Sequence, residues 1–246
     1  MRYFLEVSYK GTNYSGFQSQ KNANTIQAEV EKAFQIIIKE KVELTGSSRT
    51  DAGVHAYQNY FHFDIKMEIS PQLLYNLNAI LPGDITANNL LKVNDCDHCR
   101  FDAIIREYKY FIYKKKNPFL ADEAFYFPYK IDLELMQMAA SMIKEYSDFT
   151  SFSKRNTQVK SFECEIKESK WVVQDDCLVY NVKANRFLRG MVRALTATML
   201  KLGRRQINLE DFRKIIEAKD CTLANFAVPA HGLFLIKVSF PDAYFK

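Results

Sequence analysis

Side chains alternate from Arg2 to Tyr9, with Tyr3, Leu5, Val7 and Tyr9 on one side and Phe4, Glu6 and Ser8 on the other. A period of two is that of a half-buried strand. A loop from Lys10 to Ala23 follows, and Asn24 with Gln27 three residues on predicts an N-cap and its return partner. Ile26, Val30, Ala33, Phe34, Ile37 and Ile38 then recur at helical spacing, so this helix packs on the first strand. Alternation returns over residues 54–65, with Tyr57, Phe61, Phe63 and Ile65 on one face and Gln58, Tyr60, His62 and Asp64 on the other. Ser70-Pro71 opens a short helix carrying Leu73, Leu77 and Ile80, which Pro82-Gly83 ends, and strands are predicted at 85–93 and 102–113.

Beyond this point the mixture repeats. The pattern predicts a helix from Asp132 to about Glu145, strands near 162–173 and 177–184 joined across Asp175-Asp176, and a helix from Arg186 to Leu202 capped by Gly203. A further helix starts at Asn208, and Leu233 to Phe240 forms a closing strand. Strands and helices interleave with hairpin-like neighbours, which predicts an α+β fold rather than a doubly wound parallel sheet. No sequence repeat links the halves. The boundary is expected near residue 100, giving domains of 1–100 and 101–246.

Composition narrows the classes. Gly (8) and Pro (6) are too few for collagen-like, low-complexity or linker-rich architectures, and 48% hydrophobic residues suffice for an ordinary core. No apolar run approaches the roughly 18 residues that cross a bilayer, and the N-terminus lacks a signal-peptide core, so a cytoplasmic protein is expected. Five cysteines, an odd number in a chain of 246 residues, fit reduced thiols better than a disulfide framework. A net charge of +5 permits a polyanionic partner without demanding one.

Several motifs fail on inspection. Gly11 to Gly16 has the spacing of a phosphate-binding loop, but Phe17-Gln18 stands where Lys-Ser/Thr would be needed. Cys96-Asp97-His98-Cys99 lacks a second cysteine pair and a His-x-Glu, so neither a zinc centre nor another metal is expected. No Gly-x-Ser-x-Gly elbow is present. What remains is Gly46 to Ala56, a small-residue loop leading into a strand, with Asp51 two residues after Arg49. From spacing alone Asp51-Ala52-Gly53 is a turn and Arg49 its solvated partner. Chemically, small neighbours let a bulky ligand approach, and an adjacent cation favours the ionised carboxylate that a nucleophile or general base requires.

Arg49-Thr50-Asp51-Ala52-Gly53-Val54-His55-Ala56 resembles the active-site signature of the TruA-type tRNA pseudouridine synthases. Further matches follow in order: Tyr9 to Gln20 with the family's N-terminal loop, Leu81-Pro82-Gly83-Asp84-Ile85, and Arg106-Glu107-Tyr108-Lys109-Tyr110. Ala184 to Arg193 and Gly232-Leu233-Phe234-Leu235 complete the set. One departure is visible, because Asp97-His98-Cys99-Arg100 stands where the family has Phe-His-Ala-Arg.

The resemblance implies two α+β halves, each RRM-like or ferredoxin-like with an antiparallel sheet, meeting at a central cleft. It further implies isomerisation of uridine to pseudouridine at positions 38 to 40 of the tRNA anticodon stem-loop, without cofactor. Asp51 would act beside C1′ and C2′, and Arg193 would pair with it through a bidentate fork that lysine cannot make. Tyr108 would stack on the extracted base, with Arg49 contributing to substrate binding and Leu233 closing the uracil pocket. Tyr110 is expected in the core.

Arg186, Arg189 and Arg193, at i, i+3 and i+7, are expected on one stripe of a helix, with Leu188, Met191, Leu195 and Met199 inward. Lys114-Lys115-Lys116, Lys154-Arg155 and Arg204-Arg205 are candidate phosphate contacts, ordinary surface being the alternative. The modest charge and the resemblance together predict a homodimer gripping one tRNA. The alternative functions are a family member acting on other RNA sites and a non-catalytic RNA-binding protein on the same fold.

Overall fold

The structure, a computed structural model, describes residues 1–155 and 159–245. The chain forms two compact units, Met1–Ile104 with Phe234–Lys246, and Ile105–Leu233. A single cut near residue 100 assigns the closing strand to the second half, whereas its chain from Phe234 onward packs with the first.

The first unit runs β1 (Arg2–Tyr9), α1 (Ile26–Ile38), β2 (Thr45–Gly46), β3 (His55–Asp64), α2 (Gln72–Ile80) and β4 (Ile85–Val93). β1 lies antiparallel between β4 and β3, and the short β2 pairs with β3. The spatial order 4-1-3-2 of a β-α-β-β-α-β unit is the ferredoxin-like arrangement. Tyr3, Leu5 and Val7 face the same side as Phe61 and Phe63, and Phe34 of α1 meets Phe63 edge-on at 4.8 Å. Each such fully buried ring contributes roughly 1.5–3 kcal/mol. α1 begins one residue later than its spacing predicts: Thr25 is the N-cap, accepting from the Ala28 amide. The Gln27 side chain instead donates to the Leu44 carbonyl and accepts from the Ser19 amide, so it ties loops together rather than closing a capping box.

The second unit runs β5 (Ile105–Tyr113), β6 (Phe125–Tyr126), α3 (Leu133–Met142), β7 (Ile166–Gln174), β8 (Cys177–Ala184), α4 (Met191–Gly203) and α5 (Leu209–Glu217). β8 lies antiparallel between β5 and β7, and the β7–β8 hairpin turns at Asp175-Asp176, with Asp175 at φ 50°. This β-α-β-β-α run repeats the strand order 1-3-2 of the first unit without repeating its sequence. Trp171 stacks on Tyr180 at 4.9 Å and donates its indole N–H to Met199 of α4.

β9 (Leu233–Ser239) closes the chain, its residues Phe234 and Leu235 pairing in parallel with His55 and Ala56 of β3. β6 is also parallel to its partner β5, while the sheets of both units are mostly antiparallel, as expected. β9 follows β3 only after a long excursion through the second unit, and such crossovers are what allow parallel pairs.

Two details of α4 are also corrected. It starts at Met191, because Gly190 at φ 76° breaks the chain direction there, so Arg186 and Arg189 lie in the preceding loop and share no helix stripe with Arg193. Gly203 is the helix's last residue rather than its cap. Its lack of a side chain leaves room for Met136, which would lie 2.8 Å (Cγ) from a Cβ at that position. The predicted inward residues Leu188, Met191, Leu195 and Met199 are all buried.

Candidate active site

Asp51, Ala52, Gly53 and Val54 form a tight turn closed by the Val54 amide donating to the Asp51 carbonyl at 3.2 Å. Gly53 at φ 77° supplies the positive φ that the third position of a type II turn requires. The segment is thus a turn, with Asp51 half-exposed at its first position.

The N-terminal loop is built around that turn. Phe17 donates its amide to the Thr50 carbonyl, and Gly16, at φ 106°, passes so close that a Cβ would sit 3.1 Å from the Thr50 oxygen and 3.4 Å from the Ala52 nitrogen. A Cβ on Gly11 would overlap the Val54 carbonyl. The spacing that imitates a phosphate loop therefore reflects backbone packed on backbone. Gly11 also donates to Nδ1 of the buried His55, whose ring stacks on Phe234 at 4.5 Å. The Leu81–Ile85 motif holds the other end: Asp84 accepts from the Tyr14 hydroxyl at 2.5 Å and from Asn13 at 3.3 Å.

Thr50 turns inward, and its hydroxyl meets that of Tyr9 at 2.8 Å. Of its two neighbours, Arg49 is exposed and Asp51 half-exposed.

The second unit carries Tyr108, Arg193 and Leu233. Tyr108 lies on the β5 face shared by Arg106 and Tyr110, against the edge of Phe187 at 5.1 Å. Arg106 donates to the Asn185 carbonyl at 2.9 Å, fixing the loop that carries Phe187. Every residue of α4 except Arg193 and Lys201 is buried. Arg193 directs Nε and Nη2 at the Val228 carbonyl, at 3.0 and 2.7 Å. One residue on, the Pro229 carbonyl accepts from the Tyr110 hydroxyl at 2.7 Å. Tyr110 is fully buried, as expected of a core aromatic, and burial pushes its phenol well above the ordinary range. Gly232 lies under the Tyr110 ring, where a Cβ would come within 2.8 Å, and the buried Leu233 follows, its amide bonded to the Ala230 carbonyl.

Among the basic clusters, Lys114, Lys115 and Lys116 are exposed. Arg204 covers the Tyr129 ring at 4.2 Å and Arg205 pairs with Asp132. Lys154 and Arg155 line an open cavity of about 320 Å³ with Ser153, Cys221, Thr222 and Phe226. The Asp97–Arg100 departure forms a turn in which the His98 ring accepts from the Arg100 amide and packs edge-on against His62, while Cys99 is buried beside His62 Nδ1 at 3.2 Å. Among the described residues no group of three or more His, Cys, Asp or Glu side chains is placed to hold a metal ion. No helix among them is long and apolar enough to cross a membrane.

Three features escaped the sequence patterns: the Tyr9–Asn59–Thr50 contacts, the Val228 carbonyl under Arg193, and the Phe187 edge against Tyr108. Only the first left a signal, a polar Asn59 on the same strand face as Phe61 and Phe63.

The first unit, ferredoxin-like, carries a carboxylate on a glycine-framed turn, and the second, of related strand order, carries the arginine. The family described as tRNA pseudouridine synthase matches residues 6–102 and 145–241, and the chain belongs to it. Arg49, Asp51, Arg193 and Leu233 lie within the matched residues, and Tyr108 lies between the two stretches. Curated relatives bear the name tRNA pseudouridine synthase A. That of Parabacteroides distasonis is 41% identical over 246 residues, covering 99% of this chain and 98% of its own. Those of Porphyromonas gingivalis (40% over 249 residues, 99% of each chain) and Staphylococcus aureus (39% over 241 residues, 97% of this chain and 91% of its own) are similar along the same length.

Proposed function

We propose that this protein isomerises uridine to pseudouridine in tRNA, at positions 38, 39 and 40 of the anticodon stem-loop, with Asp51 as the catalytic carboxylate. The observation that carries the proposal is the turn itself: glycines at 16 and 53 and the buried Thr50 frame one half-exposed carboxylate, within a chain belonging to this family along most of its length. The reaction breaks the N1–C1′ bond and joins C5 to C1′, and the C5 proton leaves while N1 gains one. The atoms balance without metal or cofactor.

In this reading Arg193 pairs with Asp51 while held by the Val228 carbonyl, Tyr108 stacks on the extracted uracil, Leu233 closes the pocket from its apolar side, and Arg49 contacts the substrate. A base in the stem has to be flipped out at a cost of a few kcal/mol, which stacking on Tyr108 partly offsets. Lys154 and Arg155 are proposed phosphate contacts. The enzyme works in the cytoplasm as a homodimer gripping one tRNA, since a net charge of +5 gives a single chain little basic surface for a stem-loop.

The test is release of tritium from C5 of uridine in labelled tRNA. Wild type should release it and Asp51→Asn should not, with tRNA affinity unchanged within a few-fold. Binding without release by wild type would leave an RNA-binding protein, and release from other RNAs alone would move the site of action. Light scattering giving a monomer mass for active enzyme would overturn the two-chain grip.

A further inference from the structure

We propose that Tyr9 and Asn59 are positioning residues that set the height and direction of Asp51, a role that rests on the reaction assigned above. Asn59 lies on the core face of β3 opposite Val7, and it is fully buried. A carboxamide is costly there unless all its groups are bonded, and a leucine would pack without that cost. All its groups are bonded. Nδ2 donates to the Ser48 carbonyl at 2.8 Å and to the Tyr9 hydroxyl at 3.2 Å, while Oδ1 accepts from the Ser48 amide at 3.2 Å and the Tyr60 amide at 2.9 Å. Two acceptors on one side and two N–H donors on the other fix which way the amide points.

One side chain thus grips both backbone groups of Ser48, as a neighbouring strand would. It also holds the Tyr9 hydroxyl, which lies 2.8 Å from Thr50 Oγ1. Ser48 and Thr50 are buried, and alternating with them are the exposed Arg49 and the half-exposed Asp51. The side chains of Ser47 and Ser48 do not share in the hold, because their buried hydroxyls make no hydrogen bond among the described residues. The orientation of Asp51 is therefore set from the β-core through Asn59 and Tyr9. Displacement of a reacting group by about 1 Å can lower a rate about a hundredfold.

Tyr9→Phe removes only the hydroxyl and keeps the ring that packs on Phe17 at 5.6 Å, so the fold should survive. Tritium release should fall at least tenfold in kcat while the Kd for tRNA stays within twofold. Thr50→Val should do the same, the double variant should be no slower than the slower single, and Thr50→Ser should recover most of the loss. Hydrogen exchange gives a readout independent of turnover: peptides spanning residues 47–54 should exchange faster in Tyr9→Phe, with β1 and β3 unchanged. A kcat within twofold of wild type, additive losses, or unchanged exchange in that segment would each overturn the proposal. If wild type releases no tritium from any RNA, the assigned reaction is what fails, and the exchange result alone decides whether Tyr9 holds the turn.

Discussion

Arg193 sets Nε and Nη2 of its guanidinium on one oxygen, the carbonyl of Val228. With Tyr110 holding the next carbonyl, of Pro229, this ties α4 to the segment that leads into Leu233. A lysine carries the charge but lacks the two rigidly spaced N–H donors that converge on this oxygen. Arg193→Lys should reduce tritium release by tenfold or more and lower stability by about 1–2 kcal/mol, through loss of one charge-assisted hydrogen bond. Full activity in that variant, with a normal melting temperature, would show that only charge matters at this position.

Tyr108 offers a ring whose edge neighbour is Phe187. Tyr108→Phe should keep most stacking and most activity, whereas Tyr108→Leu removes the flat platform, worth about 1–3 kcal/mol, and should slow turnover about ten- to a hundredfold. Equal turnover by the Leu variant and wild type would exclude Tyr108 as the stacking residue.

Glycines in two matching motifs separate cleanly. Gly16 combines φ 106° with backbone from Thr50 to Ala52 at van der Waals limits, whereas a Cβ on Gly83 meets nothing within 4 Å. Gly16→Ala should cost about 1–3 kcal/mol and disturb the Asp51 turn, lowering activity beyond the loss of folded protein. Gly83→Ala should be neutral or slightly stabilising. Thermal melts of the two variants side by side check this, and equal shifts would refute it.

Much of this was legible in the chain. Alternation placed β1 and β3, helical spacing placed α1 and α3, and the Asp175-Asp176 turn placed the second hairpin, because each is a local pattern with one face in the core. What stayed hidden depends on distant segments. The return of Phe234 beside His55 cannot be seen from chain order, so a cut near residue 100 splits what contacts hold together. The three arginines read as a stripe because spacing does not reveal that Gly190 reverses the backbone. Asn59 was concealed by its aromatic neighbours, since a fully bonded amide fits an apolar face as well as a hydrocarbon does.

His62 gives the last prediction its sign. Burial, the neighbouring His98 and the Arg2 charge hold its pKa down from 6.5 to about 4, against the smaller opposing pull of Asp64 and Asp102. The folded protein therefore keeps His62 neutral at pH values where the unfolded chain already binds a proton. Stability is fully present above pH 6.5 and is lost as pH falls toward about 4, because the unfolded state gains protons first. His98, also held low by burial, adds in the same direction. Asp64, whose pKa is lowered by its bond to Arg2, and Glu168, lowered by its bond to Lys170, contribute only near and below their ordinary values of 3.8 and 4.5, leaving most of the fall between pH 6.5 and 4.5 to the histidines. Across that window unfolding free energy should fall on the order of 2 kcal/mol. Urea unfolding of wild type and His62→Gln at half-unit pH steps checks it: the variant should be less stable at neutral pH yet show a much flatter slope. An equal slope in both proteins would mean that His62 titrates normally in the fold.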